Sequence, residues 1–167
     1  MAGRMKRAAG GKRPQAAVSK ALFKSPIGSL EVAGTEAGIL SIEFSERSAV
    51  PAGSPAPCLK DCLRQLEDYF EGRRRTFSLQ LDLRGTPFQK RVWNELLKVP
   101  FGRTVAYRDI AAALGNPRAT RAVGGANHRN PVSIVVPCHR VIGADGGLTG
   151  YGGGLRRKEW LLAHEKK

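Results

Sequence analysis

Hydrophobic and polar positions alternate every two residues in some segments, as in strands, and recur at helical spacing in others. The positions of these segments predict the order of strands and helices along the chain. Residues 22–44 form two segments of β character around the turn signals Gly34 and Gly38. Residues 77–83 alternate strictly between apolar and polar side chains, which predicts a strand with one buried face. Between them, apolar residues at helical spacing predict an amphipathic helix over 58–71. The first half is therefore predicted to be a small three-stranded sheet with one helix.

Helical patterns dominate the second half of the chain. Thr86–Gln89 is a capping box with Pro at the first helical position, and the helix that it opens must end before Pro100. A second helix is predicted over Val105–Leu114, and Asn116–Pro117 begins a third. These two short helices form a helix-turn-helix pattern, although many helical hairpins never touch DNA. The expected fold class is α+β with a mainly helical second half.

Charge divides the chain and indicates a partner. The 167 residues carry 28 Lys and Arg against 14 Asp and Glu, a net charge of +14. Residues 1–20 carry +6 with no acid, residues 21–80 carry −1, and residues 81–167 carry +9. We predict a disordered basic arm over 1–20, an N-terminal α+β domain over 21–84 and a DNA-binding domain over 85–167. Such an excess favours a polyanionic partner, most simply nucleic acid.

The sequence argues against a membrane-spanning protein and against a secreted protein held together by disulfides. No apolar run approaches the roughly 18 residues that span a bilayer, and the N-terminus lacks the apolar core of a secretory signal. We therefore expect no membrane partner and a cytoplasmic location, or a nuclear one in a eukaryote. The three cysteines are too few for a disulfide framework. Cys58 and Cys62 have no third Cys or His nearby, so no metal site is expected.

The third predicted helix has two distinct sides. A stripe of small residues is predicted to pack inward: Ala119, Ala122, Val123 and Ala126. The opposite side is basic or bare: Arg118, Arg121, Gly124, Gly125 and His128. Two adjacent glycines cost roughly 1 kcal/mol each in a helix interior relative to Ala. Either another backbone approaches this face closely, or the glycines only allow tight helix packing.

Cys138 follows a short apolar run. Residues 133–136 have the pattern of a buried strand, and Pro137 would end its hydrogen-bond ladder. Cys138 is therefore expected at a strand end, where nucleophiles are often presented. A lone Cys is more often a small core residue, so the residues around it decide its role.

The two residues after Cys138 supply chemistry. His139 is a candidate base and Arg140 a candidate phosphate-pairing cation, and both neighbours can favour a thiolate. A histidine base also needs an acid to orient it. The late candidates are Glu159 and Glu165.

Four motifs carry a family resemblance. They are PCHRV at 137–141, RAVGGANHRNP at 121–131, GGLTGYGGGLRRKEWLLAHE at 146–165 and GTPFQKRVWNELLKVPFGRTVAY at 85–107. Together they resemble the O6-alkylguanine-DNA alkyltransferase family, the methylated-DNA–protein-cysteine methyltransferases. The resemblance covers nearly all of residues 85–165. Residues 22–83 fit the family's ribonuclease-H-like N-terminal domain more loosely, and the arm lies outside it.

The resemblance implies repair of DNA by direct reversal of damage. A methyl or larger alkyl group on O6-alkylguanine, with O4-alkylthymine as a further candidate, would pass irreversibly to Cys138 after the base is flipped out of the duplex from the minor groove. His139 would take the thiol proton through a water, Glu165 would orient His139, and Asn130 would tether the active-site turn. Each chain would react once, because nothing in the sequence cleaves the thioether product.

The resemblance also implies contacts with substrate and DNA. Guanine would be contacted by Tyr107, Val141, Gly152 and Lys158. Arg121 would enter the base stack where the guanine left it. Other DNA contacts would come from Arg118, Ala122, Gly124, Gly125, Arg129 and Arg140. No cofactor, no metal and no obligate protein partner is implied, and the expected state is a monomer on double-stranded DNA.

Two other classes of function compete with this one. A non-catalytic DNA-binding module, either a helix-turn-helix regulator or an alkyltransferase-like protein, would explain the basic helix, but the alkyltransferase-like proteins replace the acceptor Cys that is present here as Cys138. A thiol hydrolase built on Cys138, His139 and Glu165 would leave the basic, glycine-bearing helix unexplained.

Overall fold

A three-stranded antiparallel sheet and one helix make up the first half of the computed structural model, which describes residues 17–47 and 55–167. The strands are ordered as in the chain: β1 (Ser19–Ser25), β2 (Gly28–Thr35) and β3 (Gly38–Phe44). Helix α1 (Pro57–Phe70) packs against all three strands. The helix predicted over 58–71 is thereby confirmed.

Four helices and two very short strands precede or follow the active-site segment. The elements of the second half are α2 (Pro87–Leu96), β4 (Val105–Ala106), α3 (Tyr107–Ala113), α4 (Thr120–His128), β5 (Val141–Ile142) and α5 (Leu155–His164). Helices α3 and α4 pack against each other and against α2, as the helix-turn-helix pattern predicts. The α+β class is confirmed. Within the described residues, no helix is long and apolar enough to cross a membrane.

The predicted sheet is wrong in two respects. All three strands lie within residues 19–44, and residues 77–83 are extended but bridge β3 only at Leu81. Residues 77–83 cannot pair along the whole of β3, because two segments use its open edge. Leu81 bridges Ile39, and Val132 bridges Ile42 farther along the same strand. The basic arm also ends earlier than predicted because Ser19 and Lys20 belong to β1. Residues 1–16 of the arm lie outside the described residues.

The segment before Cys138 is a turn and not the predicted strand. The backbone N–H of Val136 donates to the carbonyl of Val132 at 3.0 Å, so its hydrogen bond closes a turn instead of joining a ladder. Ile134, a β-branched residue, has a φ of +73° within this turn, a conformation that is costly and tends to occur at functional sites. Cys138 consequently begins a 3-10 helix, Cys138–Arg140.

Smaller differences concern where the helices begin. Val105 and Ala106 pair in parallel with β5, so α3 starts at Tyr107, beside the active-site segment. A 3-10 turn over Pro117–Ala119 precedes α4. Ala122, predicted to pack inward, is exposed, since the buried side of α4 consists of Val123, Ala126 and Asn127.

One hydrophobic core runs through both halves. It includes Leu30 and Leu66 from the first half and Trp93, Val123 and Leu161 from the second. Packing of such side chains is the main stabilising contribution in a chain of this size.

Backbone and side-chain hydrogen bonds attach the active-site region to this core. The N–H of Ile42 donates to Pro131 O at 2.9 Å, and the N–H of Ser133 donates to Ile42 O at 3.0 Å. The indole N–H of Trp93 donates to Ala126 O at 2.9 Å, which ties α2 to α4. The sheet therefore fixes the turn before Cys138, and α2 fixes the basic helix.

Replacement of Thr86 tests the start of α2. Thr86 Oγ1 accepts from the Gln89 N–H at 3.2 Å, and the Gln89 side chain accepts from the Thr86 N–H at 2.9 Å. We expect Thr86→Ala to lower the free energy of unfolding by about 1 kcal/mol, measured by urea denaturation. The exposed Thr104→Ala serves as the control, and equal stability of the two variants would contradict the capping role.

Candidate active site

A buried carboxylate, Glu165, lies at the centre of the site. Glu165 follows the last residue of α5, and its side chain is 1% exposed. Its Oε1 accepts from His139 Nε2 at 2.7 Å, while Arg140 donates from Nε to Oε2 at 2.8 Å and from Nη2 to Oε1 at 2.9 Å. A buried charge is tolerated only with such partners. The pair of Glu165 and His139 is the one that the sequence analysis predicted.

Two further donors complete the environment of Glu165. The Tyr69 hydroxyl donates to Oε1 at 2.8 Å, and the Gly102 N–H donates to Oε2 at 3.1 Å. Burial by itself opposes ionisation of Glu165, but the hydrogen bonds from His139 and Arg140 outweigh it and hold its pKa well below the ordinary value. Glu165 is therefore an anion at neutral pH.

His139 is held as a neutral base. The ring is fully buried, and burial lowers its pKa even though Glu165 acts in the opposite direction. Because Glu165 is ionised, the hydrogen-bond network assigns the ring proton to Nε2. His139 Nδ1 has no hydrogen-bond partner among the described residues, so its lone pair is available to accept a proton.

Cys138 is a thiol at rest. It is 4% exposed, and burial raises its pKa to about 11, with only partial compensation from Asn130 and Lys158. The expectation that its two neighbours favour a thiolate is therefore wrong. The Arg140 guanidinium is committed to Glu165 and to Val99 O, which it contacts at 2.6 Å. A nucleophilic Cys138 needs a base at the moment of reaction.

Asn130 bridges the turn that presents Cys138. Its Nδ2 donates to Val136 O at 2.8 Å, and its Oδ1 accepts from the Val132 N–H at 3.0 Å. This is the position that a tether of the turn requires. Asn127 is also buried and donates to Cys138 O at 3.4 Å. The sequence analysis did not identify Asn127, which lies on the inner side of α4 like an ordinary core residue.

The four residues predicted to contact guanine lie around one loop. Tyr107 begins α3, and its hydroxyl donates to Thr149 O at 3.1 Å. Lys158 is buried and donates to Val141 O at 2.6 Å and to Thr149 O at 2.7 Å, while Gly152 is exposed on the loop. In this structure Lys158 thus holds the loop against β5. Burial lowers the pKa of Lys158.

The basic side of α4 is open to solvent. Arg118, Arg121 and Arg129 are exposed, and a groove separates them from the start of α2. A Cβ on Gly124 would lie 4.0 Å from the Tyr107 ring, and one on Gly125 would lie 3.5 Å from Arg129. Neither glycine is pressed against another helix, so tight helix packing does not account for them. The bare surface favours close approach of a partner instead.

The prediction that Arg140 contacts DNA is wrong. Arg140 is 6% exposed, and its guanidinium points to Glu165 and the Val99 carbonyl. Tyr69 and Gly102 were missed altogether. Gly102 adopts a φ of +72° close to Glu165 O, as a glycine readily can, but a single glycine in the sequence does not reveal this contact. Tyr69 resembled any aromatic core residue of an amphipathic helix, and no local pattern reveals its partner.

Comparison with known proteins agrees with this geometry. The model of the family described as "6-O-methylguanine DNA methyltransferase, DNA binding domain" matches residues 87–167, and that of its "ribonuclease-like domain" matches residues 18–83. The chain belongs to this family. One relative is a methylated-DNA–protein-cysteine methyltransferase of Methanosarcina barkeri. It is 47% identical over 150 residues, which span 87% of this chain and 95% of the relative.

Relatives from Mycobacterium tuberculosis connect the sequence to solved structures. The methylated-DNA–protein-cysteine methyltransferase of that organism is 49% identical over 146 residues, which span 85% of this chain and 88% of the relative. The crystal structure of the Mycobacterium tuberculosis O6-methylguanine methyltransferase superposes with a TM-score of 0.80 at 47% identity, covering 90% of this chain and 93% of that one. The crystal structure of Mycobacterium tuberculosis OGT in complex with DNA superposes with a TM-score of 0.79 at 48% identity, covering 87% of this chain and 91% of that one.

Loss of the charge on Glu165 tests the buried network. We expect Glu165→Gln to lower the free energy of unfolding by about 3–5 kcal/mol at neutral pH, because Arg140 is left buried without its counter-charge. Since the pKa of Glu165 is lowered on folding, its contribution is complete above the ordinary value of 4.5 and is lost as pH falls through the lowered value.

Urea denaturation at several pH values measures this effect. The difference between wild type and Glu165→Gln should therefore shrink at acidic pH. Glu159→Gln, an exposed position on α5, is the matched control and should stay within about 0.5 kcal/mol of wild type. A Glu165→Gln variant as stable as this control at neutral pH would refute the network.

Proposed function

We propose that this chain repairs DNA by transferring a methyl or larger alkyl group from O6 of guanine to Cys138, once per molecule. The observation that carries the proposal is the way in which the two ring nitrogens of His139 are used. Its Nε2 is fixed by Glu165 while its Nδ1 is free, directly after the buried Cys138 thiol in the chain. A base of this kind is what a thiol with a raised pKa requires.

The reaction proceeds as an in-line displacement at an sp3 carbon. His139 Nδ1 takes the thiol proton through a water, the Cys138 sulfur forms a bond to the alkyl carbon, and the bond from that carbon to guanine O6 breaks. The electron pair of the broken bond leaves with guanine, which takes up one proton from water, and His139 later returns the thiol proton to water, so that charge balances overall. The imidazolium formed on His139 is stabilised by Glu165 in the manner of a Cys-His-acid triad. The reaction ends with a thioether on Cys138, and the chain does not react again.

The loop over β5 is suited to hold the extruded base. We propose that the Tyr107 hydroxyl donates to the guanine ring, that the Gly152 N–H serves the leaving oxygen, and that the Cys138 and Val141 backbones bind the exocyclic amine. Lys158 keeps this loop closed through its bonds to Val141 O and Thr149 O. O4-alkylthymine presents a similar alkylated oxygen and is a further candidate substrate.

The exposed side of α4 is the proposed DNA surface. Arg121 would fill the space that the flipped guanine leaves, with Gly124, Gly125 and Ala122 allowing the backbone of α4 close to the minor groove. Arg118 and Arg129 would contact phosphates, so that affinity falls with salt and depends little on base sequence. We further propose that the chain acts on DNA as a monomer without a protein partner.

Intact-mass spectrometry tests the transfer directly. After incubation with a duplex that contains O6-methylguanine, each chain should gain one methyl group, mapped to Cys138. Cys138→Ala should gain none, whereas Cys58→Ala should react normally because Cys58 lies on α1 among residues of the first half. Repeated turnover, or binding without any mass change, would refute the proposal. The second outcome would favour the non-catalytic DNA-binding module.

Replacement of Arg121 tests base extrusion separately. Extruding a base costs a few kcal/mol, so Arg121→Ala should slow repair of duplex DNA by roughly tenfold or more. Its reaction with free alkylated guanine, which needs no extrusion, should be nearly unchanged. Arg156→Ala, an exposed arginine in the first turn of α5, is the matched control. Equal losses by Arg121→Ala on both substrates would rule out the extrusion role.

A further inference from the structure

Tyr69 connects the N-terminal half to the active-site carboxylate. It lies in the last turn of α1 and is fully buried. Its hydroxyl donates to Glu165 Oε1 at 2.8 Å, and its backbone carbonyl accepts from His164 Nε2 at 2.8 Å. Two consecutive residues at the end of α5 therefore bind the two ends of this one tyrosine. The connection spans 96 positions of the sequence.

The ring of Tyr69 is fixed from several sides. Phe70, Phe77, Phe101 and His164 surround it, with ring centroids between 5.2 and 6.2 Å away. Rings in this arrangement pack edge to face or tilted, and a phenylalanine would fill the same space. The hydroxyl is thus not needed for packing. Its position is set by the cluster before any substrate binds.

We propose that Tyr69 is a positioning residue for the transfer reaction, and that its hydroxyl holds Glu165 Oε1 in the orientation in which that oxygen binds His139. The inference rests on the proposed function, since it concerns the base of that reaction. The first half of the chain then contributes to the reactivity of Cys138 and is more than a scaffold.

The chemistry of Oε1 gives the direction of the effect. This oxygen accepts from three donors: Tyr69 Oη, His139 Nε2 and Arg140 Nη2. Removing the hydroxyl leaves more of the negative charge of Oε1 to the bond with His139 Nε2, while Arg140 still binds both carboxylate oxygens. The imidazolium form of His139 becomes more stable, so the neutral base is lost at a higher pH.

Other charged groups around His139 do not depend on Tyr69. Arg140 and Lys158 both oppose protonation of His139, and Cys138 stays a neutral thiol until it reacts. None of these three groups is contacted by the Tyr69 hydroxyl in the described hydrogen bonds, which join it to Glu165. A change in the protonation of His139 after loss of the hydroxyl therefore acts through Glu165.

The test is Tyr69→Phe in the full chain. Single-turnover rates of methyl transfer are measured at saturating duplex DNA containing O6-methylguanine, between about pH 5.5 and 8.5. We expect a fall of roughly tenfold at the acidic end and a smaller one at the alkaline end, with the acid limb of the profile displaced to higher pH. The Kd for undamaged duplex should not change, because the face of α4 is untouched.

Leu59→Val is the matched control. Leu59 lies buried on the same helix but belongs to the hydrophobic core of the sheet side, and its side chain does not donate to Glu165. Melting temperatures of both variants are recorded. Leu59→Val should keep the wild-type rate and pH profile. A wild-type rate and profile in Tyr69→Phe, or an equal loss in Leu59→Val, would overturn the positioning role. Failure of the wild type to methylate Cys138 would instead refute the proposed function.

Discussion

The negative charge of Glu165 is the constraint on which the site depends. A carboxylate buried to this degree is stable only if nearly every lone pair accepts a hydrogen bond. Its donors come from α1, from the loop after α2 and from the segment after Cys138, while the carboxylate itself ends α5. Satisfying one charge thus fixes four separate parts of the chain relative to one another. The same interactions leave His139 in one tautomer with one free nitrogen.

This arrangement keeps Cys138 a neutral thiol in the resting protein. Burial raises the pKa of the thiol, and the guanidinium of Arg140, two residues farther along the chain, binds Glu165. A permanently ionised cysteine would react with other electrophiles and be lost, since each chain reacts once. Under the proposed mechanism the thiol is activated by His139, beside a loop that Lys158 holds over β5, and this limits that loss. Stability and chemical selectivity therefore arise from the same buried groups.

Local signals in the sequence were sufficient for much of the fold and for the reacting residues. The capping box at Thr86, the helix α1 and the basic side of α4 depend on neighbours within a few positions, and all were predicted. The strands predicted at 77–83 and 133–136 do not form, because pairing is decided by the edge of β3, which two distant segments share. Arg140 and Tyr69 were misjudged or missed for the same reason, since their partner lies 25 and 96 positions away.

The central claim is that Glu165 holds His139 as a neutral base with a free Nδ1. Nitrogen-15 NMR of the imidazole of His139 in the unreacted protein measures this most directly. We expect a neutral ring at pH 7, with the proton on Nε2 and none on Nδ1, that stays neutral below the ordinary histidine pKa of about 6.5. A ring protonated on both nitrogens at pH 7, paired with a Cys138 thiolate, would contradict it.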